Sequence, residues 1–245
     1  MTLKISDTIS RELHEAADAG QREVLMRFFK TGPGQYGEGD DFLGVRVPVT
    51  RAIVKSHWRE ATTDDVLRLT SSALHEERLA GFLVLINMYA HARKDEMRRL
   101  ELVDLYLSLL DSGNNWDLVD LVAPKILGDY LAGHADERHL LYELAAMDGR
   151  LWHQRAAMVS CLALMRKGEF DDTMRLAGLL MHHPHDLMHK ACGWMLREAG
   201  KRGGMEKLTD FLDRHAGEMP RTMLRYAIEH LPDNTRRHYM SQRKC

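Results

Sequence analysis

The chain has 245 residues, and Lys+Arg 34 against Asp+Glu 36 leaves a formal charge of −2, which excludes a uniformly basic nucleic-acid-binding protein. The charge is unevenly placed: residues 150–245 carry 17 basic and 11 acidic side chains, a surplus of +6, while residues 1–149 carry 17 and 25, a balance of −8. A hydrophobic content of 44% is enough for a sizeable core and excludes disorder as the main state.

Nearly every segment reads at a helical period, and no convincing strand is seen. In chain order, helices are predicted over Ser6–Ala19 and Gln21–Lys30. The stretch TGPGQYGEGDDFLGVRV follows, too polar and Gly-rich for a helix and placed before Pro48, a good first helical residue. Helices are then predicted over Pro48–Arg59, Thr63–Thr70, Glu76–Arg93, Asp95–Leu110, Asn115–Leu131 and Asp136–Met147. The last ones are Arg150–Lys167, Asp171–Met181, Asp186–Arg202, Met205–His215 and Pro220–His230. Short helices joined by brief turns predict stacked helical hairpins, and one domain over residues 1–245 is expected. Glu77, Trp116, Arg155 and Trp194 recur every 39 residues, each expected near the start of a long helix. That ladder predicts an all-α, HEAT-like helical-repeat solenoid with these side chains in a row along one concave surface. Coincidence within an ordinary helical bundle is the competing reading.

Cys161, Cys192 and Cys245 give no disulfide framework. The first twenty residues carry polar groups at every turn, and the longest apolar run, Gly81–Ile86, is too short for a membrane span. A soluble, cytoplasmic protein that does not engage membranes is expected.

Two segments carry candidate chemistry. Lys190, Trp194, Arg197 and Lys201 follow i, i+4, i+7, i+11, a single helical stripe of three cations and one indole suited to a phosphate backbone and a stacked base or sugar. Met188, Cys192, Met195 and Ala199 form a different, apolar face. A solvated face with Trp194 partly in the core competes with that reading. In NNWDLVDLVAPKILGDY, Asn114 or Asn115 can cap a helix on which Trp116 and Asp120 share one face, with Asp117 in the first turn. Pro124 cannot donate to the Asp120 carbonyl, so a bend is predicted beside the carboxylate. An Asp–Arg ion pair is the plainer alternative for Asp120. His182, His183, His185 and His189 fall at a helix-to-helix turn broken by Pro184, with no Cys or Glu to complete a ligand set, so no metal is expected, and no cofactor motif is found.

These motifs carry a family resemblance. DDFLGVRVPVTRAI, NNWDLVDLVAPKILGDYL, LWHQRAAM, LMHKACGWMLREAGKR and MPRTMLRYAIEHL, in this order over most of the chain, resemble the AlkD-type HEAT-like-repeat DNA glycosylases of bacterial alkylation repair. The resemblance implies that Trp116 and Trp194 form aromatic walls, that Asp120 is the catalytic carboxylate and that Arg155 holds a backbone phosphate. It further implies a monomer acting on double-stranded DNA with alkylated bases, hydrolysing the N-glycosidic bond of cationic N3- or N7-alkylated purines without base flipping. Some members carry a second Trp where this chain has Asn115. Two alternatives stand beside this one: a non-catalytic module binding bent, damaged or branched DNA through Lys190, Arg197 and Lys201, and a protein scaffold docking through its acidic half.

Overall fold

The structure, a computed structural model, describes residues 4–242. Among these residues it is all-α, of the helical-repeat class expected, and the one β feature is an isolated bridge between Asp41 and Leu74. The chain divides into two compact units, Met1–Val122 and Ala123–Cys245.

The first unit holds α1 (Ile5–Glu15), α2 (Ala19–Phe28), α3 (Val47–His57), α4 (Thr63–Thr70), α5 (His75–His91), α6 (Glu96–Ser108) and α7 (Trp116–Val122). Its centre is α5. The apolar run from Leu79 to Leu85 makes this helix hydrophobic all round, and it is correspondingly buried, packing on α1, α3, α4, α6 and α7. Local chemistry sets several helix starts: Asp18 accepts from the Gln21 amide, Asp95 from the Arg98 amide, and Thr62 and Asp65 form a reciprocal capping box on α4.

The second unit holds α8 (Leu127–Leu131), α9 (His139–Ala145), α10 (Leu151–Met165), α11 (Asp171–Leu179), α12 (Asp186–Lys201), α13 (Met205–His215), α14 (Arg221–Ala227) and α15 (Asp233–Ser241). Here the repeat is explicit. Helices α10, α12 and α14 pack side by side, with α9, α11 and α13 packed against one another in sequence as the second row. Their first residues, Leu151, Asp186 and Arg221, are 35 residues apart at each step. Helices α12 and α14 approach closely, and a Cβ on Gly193 would lie 2.4 Å from the Met223 carbonyl oxygen. Cys161 and Cys192 are fully buried in this unit, and burial pushes both thiols up to about 12, so they act as small apolar groups. Cys245 lies outside the described residues.

Three sequence expectations need correction. The 39-residue ladder is not the structural register: Glu77 is the third residue of α5, Trp116 the first of α7, Arg155 the fifth of α10 and Trp194 the ninth of α12. The predicted Asn115–Leu131 helix is broken rather than bent. Helix α7 stops at Val122, residues 123–126 form a turn around Pro124, and α8 starts at Leu127, because proline removes the N–H that a continuous ladder needs. Helix α15 was not predicted at all.

Candidate functional site

In the first unit, Trp116 opens α7 and Asp120 lies one turn further along, so the i, i+4 spacing does place both on one helical face. Each is half-buried. The Trp116 indole Nε1 donates to the Tyr36 hydroxyl at 3.3 Å, and its ring meets Phe28 (centroids 6.0 Å apart) and Phe29 (5.5 Å). Phe28 is 60% exposed, so an aromatic surface reaches solvent here. Behind Asp120 the phenol of Tyr106 is buried without a hydrogen-bond partner, and burial together with the Asp120 charge pushes its pKa up.

What fixes this helix is a buried polar cluster that sequence reasoning missed. The His75 ring, at the start of α5, bonds Asp40 through Nδ1 at 2.8 Å and Asp117 through Nε2 at 2.9 Å. Arg78 pairs with Asp40 and donates to Asn114 Oδ1 at 3.1 Å and to the Ser72 carbonyl at 2.8 Å. Asn115 is fully buried, its Oδ1 accepting from the Trp116 amide at 2.9 Å and its amide reaching Asp40 at 3.4 Å. Burial opposes a charged imidazole, but the bonds to Asp117 and Asp40 outweigh it and hold His75 at about 9. Burial likewise opposes the Asp40 carboxylate, and His75 and Arg78 more than offset it, holding Asp40 below the usual carboxylate range.

The Gly-rich stretch that supplies Asp40 is itself clamped to α5. The buried Glu76 carboxylate accepts from the backbone amides of Leu43 (2.9 Å), Gly44 (2.9 Å) and Val45 (3.0 Å). Gly44 sits at φ 88, and a Cβ there would meet the Asp18 carbonyl at 2.0 Å, so only glycine fits. The sequence signal for this clamp is thin: an acidic residue at the mouth of a helix that follows a glycine loop.

In the second unit, Trp194 is half-buried on α12. The cations of its stripe are paired. Lys190 meets Asp186 at 3.0 Å, Arg197 pairs with Glu229 and lies 3.6 Å from Glu198, and Lys201 lies 3.5 Å from Glu198. These are partly exposed pairs that a phosphate can compete for. Arg155 is 5% exposed and donates to the Leu187 carbonyl at 2.5 Å, joining α10 to the start of α12. Glu77 of the ladder pairs with Ser10 and lies 3.7 Å from His14, which makes it part of the α1–α5 contact. His183 bonds Gln154 at 2.9 Å, and the His185 ring caps α12 by accepting from the Leu187 amide at 3.1 Å. Among the described residues no group of three His, Cys, Asp or Glu side chains is arranged to hold a metal ion.

An all-α repeat protein with an aromatic and carboxylate face on a short, braced helix is the class that fold and site define. The family model of DNA alkylation repair enzymes matches residues 9–231, and the chain belongs to that family. A solved structure of a predicted DNA alkylation repair enzyme from Enterococcus faecalis shares the fold at 16% identity, with a TM-score of 0.71 over 89% of this chain and 97% of that one. No curated protein matches the chain. Among the described residues no helix is long and apolar enough to cross a membrane.

Proposed function

We propose that the protein is a DNA glycosylase that hydrolyses the N-glycosidic bond of cationic N3- or N7-alkylated purines in double-stranded DNA without flipping the base. The observation that carries this reading is the pairing of Trp116 with Asp120 on one face of α7, in a chain of the alkylation repair family. A purine alkylated at N3 or N7 already bears positive charge and leaves without a general acid, so one carboxylate suffices where glycoside hydrolysis ordinarily uses two. Asp120 stabilises the oxocarbenium-like sugar and orients water, and the indole face of Trp116 contacts the deoxyribose; in the second unit Trp194 offers a further indole face to DNA. Arg155 holds a backbone phosphate, and Lys190, Arg197 and Lys201 exchange their carboxylate partners for phosphates when DNA binds. The monomer acts without a cofactor.

Release of 7-methylguanine or 3-methyladenine from alkylated duplex DNA by the purified protein tests the reading directly. A second reading, a non-catalytic binder of bent or branched DNA, draws on Asn115, whose side chain is spent inside the protein where some relatives carry a further Trp. Tight DNA binding with no release of any cationic base selects it.

A further inference from the structure

We propose that His75 is a positioning residue for the Trp116–Asp120 face, its doubly bonded imidazolium tying Asp117 on α7 to Asp40 in the glycine-rich loop and thereby setting where α7 begins. This rests on the proposed glycosylase reading for its consequence in catalysis, but not for its effect on Trp116.

The argument is one of donors and acceptors. Two carboxylates face the two ring nitrogens of His75 at 2.8 and 2.9 Å. A neutral imidazole has one N–H and one lone pair, so one of those contacts would set a lone pair against a carboxylate; only the imidazolium satisfies both. Asp40 has Arg78 and Asn115 as further partners. Asp117 does not have that insurance: its Oδ1 is buried with no hydrogen-bond partner, and its Oδ2 meets His75. The side chain of Asp117, in the first turn of α7, is therefore tied to the rest of the unit through one imidazole.

The ring's surroundings come from the loop, α5 and α7, and one of them, Phe29, also meets Trp116. From the loop, Phe42 stacks on it (centroids 4.5 Å, 19° between planes) beside Asp40, and Phe29 lies 5.1 Å away. The same Phe29 ring lies 5.5 Å from Trp116. From α5 itself come Arg78, held on Asp40, and Glu76, occupied by the loop amides. From α7 comes Asp117. Two carboxylates and two rings thus hold the imidazole, and Asp117 follows Trp116 directly in the chain. Deprotonation of His75, whose pKa is held at about 9, sets the ring lone pair against a carboxylate and releases the start of α7.

The test isolates Trp116 by changing Trp58, Trp152 and Trp194 to Phe and follows its emission and acrylamide quenching from pH 6.5 to 9.5. The expected result is a quenching increase that titrates near pH 9 in the His75 protein and is missing in His75→Gln and His75→Asn. Asparagine places its amide near the Nδ1 position and glutamine near Nε2, so His75→Asn, which loses Asp117, should expose Trp116 more at pH 7 than His75→Gln, which keeps it. In the otherwise unaltered protein, His75→Asn should slow single-turnover excision of 7-methylguanine about tenfold while DNA affinity stays within about twofold. Should the His75 variants fail to fold, Asp117→Asn keeps the acceptor and removes the charge, and the Trp116 titration should move to lower pH. An identical Trp116 titration with and without His75, or an unmoved one in Asp117→Asn, overturns the proposal. Absence of excision in the unaltered protein instead sinks the glycosylase reading and leaves the emission result to stand by itself.

Discussion

Asp120 is half-buried one turn beyond an aromatic surface, beside the buried Tyr106 phenol and with one solvent-facing side. The glycosylase reading assigns this carboxylate the role of facing a developing positive charge. Asp120→Asn preserves shape and removes charge, so excision should fall by at least about a hundredfold, with DNA affinity unchanged or slightly raised because a negative charge near phosphates is lost. Single-turnover release from a 7-methylguanine duplex measures the first effect and fluorescence anisotropy the second; an unaltered excision rate removes Asp120 from the chemistry. Arg155 poses a sharper question. It is buried and bonded to the Leu187 carbonyl, so its loss also costs a strut between α10 and α12. If it reaches a phosphate as well, Arg155→Ala should reduce the slope of log affinity against log salt by about one unit, with only partial rescue by Lys. A less stable protein with an unchanged salt slope would assign Arg155 to structure alone.

At the scale of elements, the placement of α7 depends on His75 and the close pairing of α12 with α14 depends on Gly193. The folded pKa of His75, about 9, lies above the ordinary imidazole value of 6.5, so the charged ring contributes its full stabilisation below that ordinary value and loses it as pH rises through 9. Urea unfolding should therefore show a stability loss on the order of 2 kcal/mol between pH 6.5 and pH 10, and His75→Gln should flatten that dependence. Gly193→Ala drives a methyl into the Met223 carbonyl and the Tyr226 Cβ, and should cost about 1–3 kcal/mol as the helices separate; a Tm equal to the parent's would mean the two helices yield freely. These two elements also mark what sequence reading reaches. The Trp116–Asp120 face was legible because i, i+4 geometry is local. The brace beneath it was not, since His75, Asp40 and Asp117 are ordinary polar residues 35 and 42 positions apart with no shared period. The break at Pro124 was half legible: periodicity ran on to Leu131, and only the missing N–H marked the site. The repeat was found at the wrong period because equal spacing of conspicuous residues is not equal spacing of helix starts. Helix α15 escaped because Tyr239 is its one buried residue, which leaves almost no apolar stripe to detect.

For the whole molecule, the decisive variable under the glycosylase reading is the charge of the base that leaves. A reaction that relies on one carboxylate and has no acid to protonate the leaving group must draw on a base that departs as a neutral molecule, which requires it to be cationic while still attached. Duplexes bearing 7-methylguanine or 3-methyladenine should therefore be processed, whereas hypoxanthine and uracil should stay intact at the same enzyme concentration. Because recognition from the sugar-phosphate side needs no pocket sized to the base, bulkier cationic N3 or N7 adducts should be released as well, in contrast to enzymes that flip the base into an enclosed site. The matched experiment uses one duplex sequence with a single central lesion of each kind, followed by product separation after strand cleavage at the abasic site. Efficient uracil release would demand a proton donor that this scheme lacks and would overturn it. Binding to every duplex without release of any cationic base would move the chain to the non-catalytic DNA-binding reading, with Lys190, Arg197 and Lys201 as its working residues.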